Sequence, residues 1–224
     1  MNSAHALAAA LLLLGLASCE VTTFQNPPVA ELACDARLVG DWFSVPDSDH
    51  SDDTPGELEL KIDKTCNVSI IEHNKDGDKR HDPEALHVGR DGAQDYAWLD
   101  YQVLSKALFN GDNLGHKAPP NTPASASASA SASASDSDDP VVPAGDVYVM
   151  RYSVHDKDLQ ILQPDNHAIA HRIIDGKLSG EVSKKDHTLL NRLTDKVTPE
   201  QLQDDVVFDP KPLQFTRDHP ESVK

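Results

Sequence analysis

Basic charge is scarce in this chain, whose 224 residues carry 20 Lys and Arg against 37 Asp and Glu, a formal net charge of −17 at pH 7. Without a basic excess there is no electrostatic footprint for nucleic acid, which excludes that class of partner. Anionic lipid headgroups also repel such a chain, so any hold on a membrane has to come from covalent lipid rather than a polybasic patch. Aromatic residues make up only 5 %. No apolar run reaches the roughly 20 residues that a spanning helix needs. Motifs that carry chemistry are missing too: there is no G-x-S-x-G, S-x-x-K or H-E-x-x-H, and no glycine-rich phosphate loop. The chain therefore reads as a protein without catalytic activity, cofactor or metal.

What is present begins at the N-terminus. Residues 6–16 read ALAAALLLLGL, the length of a signal h-region and too short to cross a bilayer. The run ends in Leu16-Ala17-Ser18-Cys19, which resembles the lipobox of bacterial lipoproteins. That resemblance implies a signal peptide over residues 1–18, diacylglyceryl transfer to the Cys19 thiol, cleavage before Cys19 and acylation, as by palmitate, of the new amine. Two or three acyl chains hold a protein stably where one does not. The segment before the run, MNSAHA, has only His5 as a cation, and an ordinary secretory signal or a buried apolar helix are the other readings. Glu20 stands where an Asp would favour the inner membrane in enterobacteria-like sorting, so the resemblance implies the outer membrane, facing the periplasm. Residues 19–33, with Asn26-Pro27-Pro28 and few large apolar side chains, read as a lipidated tether with a reach of about 20 Å.

With Cys19 committed to lipid, Cys34 and Cys66 remain. In an exported protein an even pair most simply forms a disulfide; two separate buried thiols or a metal or redox use are the alternatives. Further along, Ala124 to Ala134 is a strict Ala-Ser alternation between prolines and acidic residues. Such side chains cannot offset the entropy of ordering, which predicts a disordered insert over residues 118–145. We read residues 34–217 as a single β-rich domain interrupted by that insert, with a tail over 218–224; two very small domains are the alternative.

The strand signal is plainest in Glu57 to Asp63, where Leu58, Leu60 and Ile62 alternate with charged residues, followed across a short turn by Asn67 to Ile71. A second hairpin is predicted from Asp146–Val154, with Tyr148, Met150, Tyr152 and Val154 on one face, and Leu159–Leu162. Leu189–Leu193 and Leu213–Arg217 add short strands. Tyr96 to Phe109 reads as a strand to about Leu104 and then a turn of helix. Two short helices are expected. One opens at Asp165 and stops at Gly176; the other starts with Thr198, Pro199 and Gln201 as N-cap, first-turn proline and capping box. The fold class is mainly β, a small antiparallel barrel or sandwich.

Gly40-Asp41-Trp42, followed by Gly56 to Leu60, resembles the opening of lipocalin-like domains, which begin with G-x-W on the first strand. The resemblance implies an eight-stranded barrel closed at one end by Trp42 and gives Arg217 as the cation stacked on it. Otherwise Trp42 is a core aromatic. The other lipocalin blocks are not evident, and the insert and helices depart from the pattern. A closed barrel leads to a specific expectation: inward Leu, Val and Tyr around a cavity of a few hundred Å³, an order of magnitude set by pockets that hold small molecules.

Three constellations carry weaker signals. His167 and His171 lie four apart on the first predicted helix, a metal-chelating spacing, but on a wheel they face away from Ile169 and Ile173 and toward solvent. Asp47, Asp49, His50, Asp52 and Asp53 form an acidic loop, and Asp76-Gly77-Asp78 has a calcium-loop look; neither has EF-hand spacing, and solvated turns are the plainer reading. The expectation is a lipid-anchored envelope binding or accessory protein holding an apolar small molecule. The alternative is a structural or inhibitory module that docks an envelope protein; an envelope hydrolase is a third reading.

Overall fold

A computed structural model describes residues 20–46, 57–74, 77–109, 142–185, 188–203 and 207–218. The signal segment with Cys19, the acidic loop from Asp47 to Asp53, Asp76 and the Ala-Ser alternation lie outside the described residues.

The predicted first hairpin is β4 (Glu57–Ile62) with β5 (Asn67–Asn74), in a register that sets Leu60 opposite Ile70 and Ile62 opposite Val68. Alternation therefore puts one face of both strands into the core. At the turn, Asp63 Oδ1 accepts the backbone N–H groups of Thr65 at 2.8 Å and Asn67 at 2.9 Å, and Cys66 takes a left-handed φ of 60°. On the other side of β4 lies β3 (Gly40–Ser44), and beyond β5 come β6 (Gly77–Arg80) and β7 (Glu84–Ala85). One residue after β7 the chain enters β8 (His87–Asp91), which turns back into β9 (Gln94–Asp100).

β9 stops at Asp100 rather than near Leu104, and α1 (Tyr101–Phe109) follows directly. The reason is local. Asp100 Oδ1 accepts from the backbone N–H groups of Gln102 at 2.8 Å and Val103 at 3.2 Å, a cap that the period-2 pattern of Ala97, Leu99, Tyr101 and Val103 conceals. After residue 141 the second predicted hairpin appears as β10 (Val147–His155) and β11 (Asp158–Leu162). β9 and β10 pair from Val147 opposite Asp100 to Tyr152 opposite Asp95, so the chain before and after residues 110–141 builds one sheet.

Near the C-terminus, β14 (Leu213–Thr216) pairs with β11 on one side and β3 on the other. All strands join one large, mainly antiparallel sheet. The expected small barrel is not closed: the step that would return β9 to β5 is divided at Leu86 between β7, which pairs with β5, and β8, which pairs with β9. The chain is mainly β with three helices among the described residues.

Residues 20–33, expected to be a tether, are instead built into the sheet. β1 (Glu20–Phe24) runs parallel to β13 (Thr188–Leu193), and β2 (Glu31–Leu32) pairs with β8. Val21 and Phe24 are buried, and Thr22 and Thr23 are 0 % exposed. Their hydroxyls are matched: Thr23 Oγ1 donates to Asp146 Oδ2 at 3.2 Å, and Thr22 Oγ1 accepts from Asn191 Nδ2 at 3.4 Å. β-Branched residues suit a pleated surface, and once paired they behave as core.

β12 (Gly180–Lys185) flanks β13, while α2 (Asn166–Ile174) and α3 (Pro199–Gln203) complete this second layer. Both predicted helix starts hold. Asp165 Oδ1 accepts from Ala168 N at 2.9 Å, and Thr198 and Gln201 exchange side-chain to backbone bonds at 2.9 and 3.4 Å. Gly176, at φ 70°, follows α2 as a helix-ending glycine. Two cores result. Trp42, Leu60, Leu99, Tyr148 and Phe215 belong to one; Phe24, Trp98, Val149, Ile169 and Phe208 belong to the other. β9 alternates between them, with Ala97 and Leu99 in the first and Tyr96 and Trp98 in the second.

Candidate functional site

The first core is not completely filled. Between Leu60 and Ile62 of β4, Val68 and Ile70 of β5, Leu99 of β9 and Tyr148 of β10 lies a cavity of about 80 Å³. It falls short of the few hundred Å³ expected, because Leu104 of α1 and the long Met150 and Tyr152 of β10 occupy part of the interior. Ala97 is the smallest side chain in its wall and Gln163 the one side chain there with an amide. Tyr148 shares a hydrogen bond with Gln163, and burial pushes its phenol well above the ordinary range. Every other lining side chain is apolar or tyrosine. The chemistry on offer is apolar contact alone, since the Gln163 amide is engaged by Tyr148 and almost no polar surface faces the cavity; no nucleophile or general base stands in its wall among the described residues.

One end of this interior is sealed by the segment before β3. The Arg217 guanidinium lies 4.4 Å from the centre of the Trp42 ring, and its Nη2 donates to the carbonyls of Arg37 at 2.7 Å and Val39 at 3.2 Å. Trp42 Nε1 donates to Leu38 O at 2.7 Å, which ties the same segment down from inside. Gly40, at φ 137°, leaves room here: a Cβ would sit 3.6 Å from Arg217 Nη1 in a backbone conformation that side chains rarely adopt. The Cys34–Cys66 disulfide, with Cα atoms 5.4 Å apart, staples this segment to the β4–β5 turn.

Beside the disulfide stands a charge network absent from the sequence-level reading. Arg37 Nη2 binds Asp35 at 2.6 Å and Asp95 at 2.7 Å, and Arg90 also pairs with Asp95. The Tyr152 hydroxyl donates to Asp35 Oδ2 at 2.9 Å. Burial opposes the charge on Asp35, yet the bonds from Arg37 and Tyr152 outweigh it and hold the carboxyl below its usual range. The Asp35–Arg37 and Arg90–Asp95 pairs are local, the second lying across the β8–β9 hairpin, while the bonds from Arg37 to Asp95 and from Tyr152 to Asp35 join three distant stretches of chain.

Two further carboxylates are buried on the β4–β5 pair. Glu72 lies on the same face as Val68 and Ile70, is 4 % exposed, and meets His81 Nε2 at 2.7 Å. Glu59, on the opposite face and 6 % exposed, meets Lys61 Nζ at 2.7 Å and His73 Nε2 at 3.0 Å. His81 borders a second small void whose wall shares Val68, Ile70, Leu99 and Leu104 with the main cavity. Each pairing satisfies the desolvated acid rather than leaving it free for chemistry.

His167 and His171 are both exposed and their rings pack edge to face, 4.6 Å between centres. No group of three or more His, Cys, Asp or Glu that could hold a metal stands among the described residues. No helix among them is long and apolar enough to cross a membrane. No protein-family model, curated protein or solved structure matches the chain.

Proposed function

We propose that this chain is a lipid-anchored cell-envelope protein without catalytic activity, whose interior holds a small apolar ligand. The cavity carries the reading: an apolar, partly open space of about 80 Å³ is left within the main core, with almost no polar surface in its wall. Close packing is the norm for protein interiors, and a void of this size costs stability unless something occupies it. An apolar cavity of about 150 Å³ takes a benzene-sized molecule, so this one suits a few heavy atoms or the tip of a chain. The lipobox at Cys19 supports lipid anchoring, and Glu20 supports the outer membrane and a periplasmic location.

The lipocalin-like barrel is the finer form of the same proposal. Pairings lead from β3 through β4, β5, the β7–β8 stretch, β9, β10, β11 and β14 back to β3, with the one break at Leu86. The Arg217 guanidinium over Trp42 supports it as well.

Ala97→Leu tests the ligand. Filling the void stabilises the free protein by about 1 kcal/mol and abolishes the thermal shift that xenon or a short-chain alkane gives the wild type. Ala97→Val serves if leucine overpacks the site. Absence of any probe-induced shift in the wild type refutes a ligand in this cavity. A second reading, a docking module for an envelope protein, rests on strand β12 at the end of the sheet order and on Ile174, 70 % exposed, at the end of the adjoining α2. Stoichiometric recovery of one partner from solubilised envelopes, lost on Ile174→Asp, would favour it.

A further inference from the structure

The sheet starts one residue after the lipid site, and that removes the slack that a tether would provide. Glu20 is the first residue of β1 and stands opposite Leu189 of β13, which in turn stands opposite Lys184 of β12. Asn166 Nδ2, at the start of α2, donates to Glu20 O at 2.9 Å, and Asn191 Nδ2 donates to Asn166 O at 2.8 Å. Val21, Thr22, Thr23 and Phe24 are all buried, so the strand cannot peel away without opening the second core. Consecutive Cα atoms lie about 3.8 Å apart, so a lipid on Cys19 leaves the domain no free length in which to hang clear.

We propose that the end of the molecule where β1 starts, marked by Glu20, Lys184 and the α2 start at Asn166 and His167, lies directly against the lipid headgroups of the bilayer. The proposal rests on lipidation at Cys19 and adds the orientation that follows from it. Glu20 and the α2 cap Asp165 stand there with the exposed Lys184, so the rim carries a cation as well as acids. The anchor then pulls on a strand paired along its whole length to β13. The domain is held as a rigid body rather than on a leash.

The test uses the full lipidated chain on vesicles of phosphatidylethanolamine and phosphatidylglycerol. Acylation by a soluble lysine reagent is read by mass spectrometry at Lys184, with Lys61, 39 % exposed, as the reference. Lys184 reacts several-fold more slowly on vesicles than in the soluble Cys19→Ser protein, while Lys61 is unchanged. Ten Gly and Ser residues inserted between Cys19 and Glu20, with a root-mean-square reach of about 17 Å, restore the rate. A lipidated, vesicle-bound wild type whose Lys184 reacts as fast as in the soluble variant overturns the orientation alone. A wild type with no lipid mass increment and no vesicle partition overturns the anchoring reading together with it.

Discussion

Glu59 and His73 show how a single buried acid governs pH behaviour at the residue scale. Burial raises the pKa of Glu59, but bonds from Lys61 and His73 outweigh it and hold the carboxyl below its ordinary value of 4.5. Burial likewise opposes the charge on His73, and its bonds to Asp78 and Glu59 outweigh that and raise it above 6.5. A lowered acid contributes stability above its unfolded pKa and loses it as pH falls through the folded one; a raised histidine contributes below its unfolded pKa and loses it as pH rises through the folded one. The pair is therefore at full strength between pH 4.5 and 6.5. Chemical denaturation from pH 5 to 8 should show stability declining above pH 6.5. In His73→Gln that decline is smaller; an identical slope would remove His73 from the account. The disulfide acts differently, through the unfolded chain: with a sequence separation of 32 residues it contributes about 3 to 4 kcal/mol in the chain-entropy view.

At the scale of elements, α1 matters because Leu104 closes part of the cavity, and the helix owes its start to one carboxylate. Asp100→Ala removes the acceptor for two backbone N–H groups and should cost about 1 kcal/mol, with α1 the first segment to lose amide protection in hydrogen exchange. Equal loss across β10 would show that α1 does not open separately. The same junction explains what was legible in the sequence. The first hairpin announced itself through strict alternation in Glu57 to Asp63, the second through one apolar face from Tyr148 to Val154, and the helix starts through the cap residues Asp165 and Thr198, because each signal is local and self-contained. The end of β9 was not legible, since apolar residues there satisfy both periods at once. β1 was hidden for another reason: two of its five residues are threonines whose burial depends on Asn191 and Asp146, far along the chain. β8 and β12 carry Gly89 and Gly180 against neighbours that a Cβ would meet at 2.5 and 2.6 Å, so close approach rather than pattern places them. Of the site, Trp42 and Arg217 were legible through a resemblance and the cysteines through counting. The links from Arg37 to Asp95 and from Tyr152 to Asp35 depend on tertiary proximity, and the Glu72–His81 pair depends on the register of the β5–β6 hairpin.

For the whole molecule, β9 decides cooperativity. One face of it packs in each core, so neither core can open while the other stays intact, and the described residues should unfold as a single unit. Across the Ala-Ser alternation over 124–134 the sheet is held by the β9–β10 pairing. Removing those residues shortens the connection between Phe109 and Val142 by about a third, and loop-closure entropy changes only with the logarithm of length. Deleting Ala124 to Ala134 should thus leave unfolding two-state and shift stability by no more than about 0.5 kcal/mol. Calorimetry on the deleted and full chains checks both parts. A loss of several kcal/mol, or a transition that splits in two, would mean that the alternation packs on the sheet and that the two flanks depend on it.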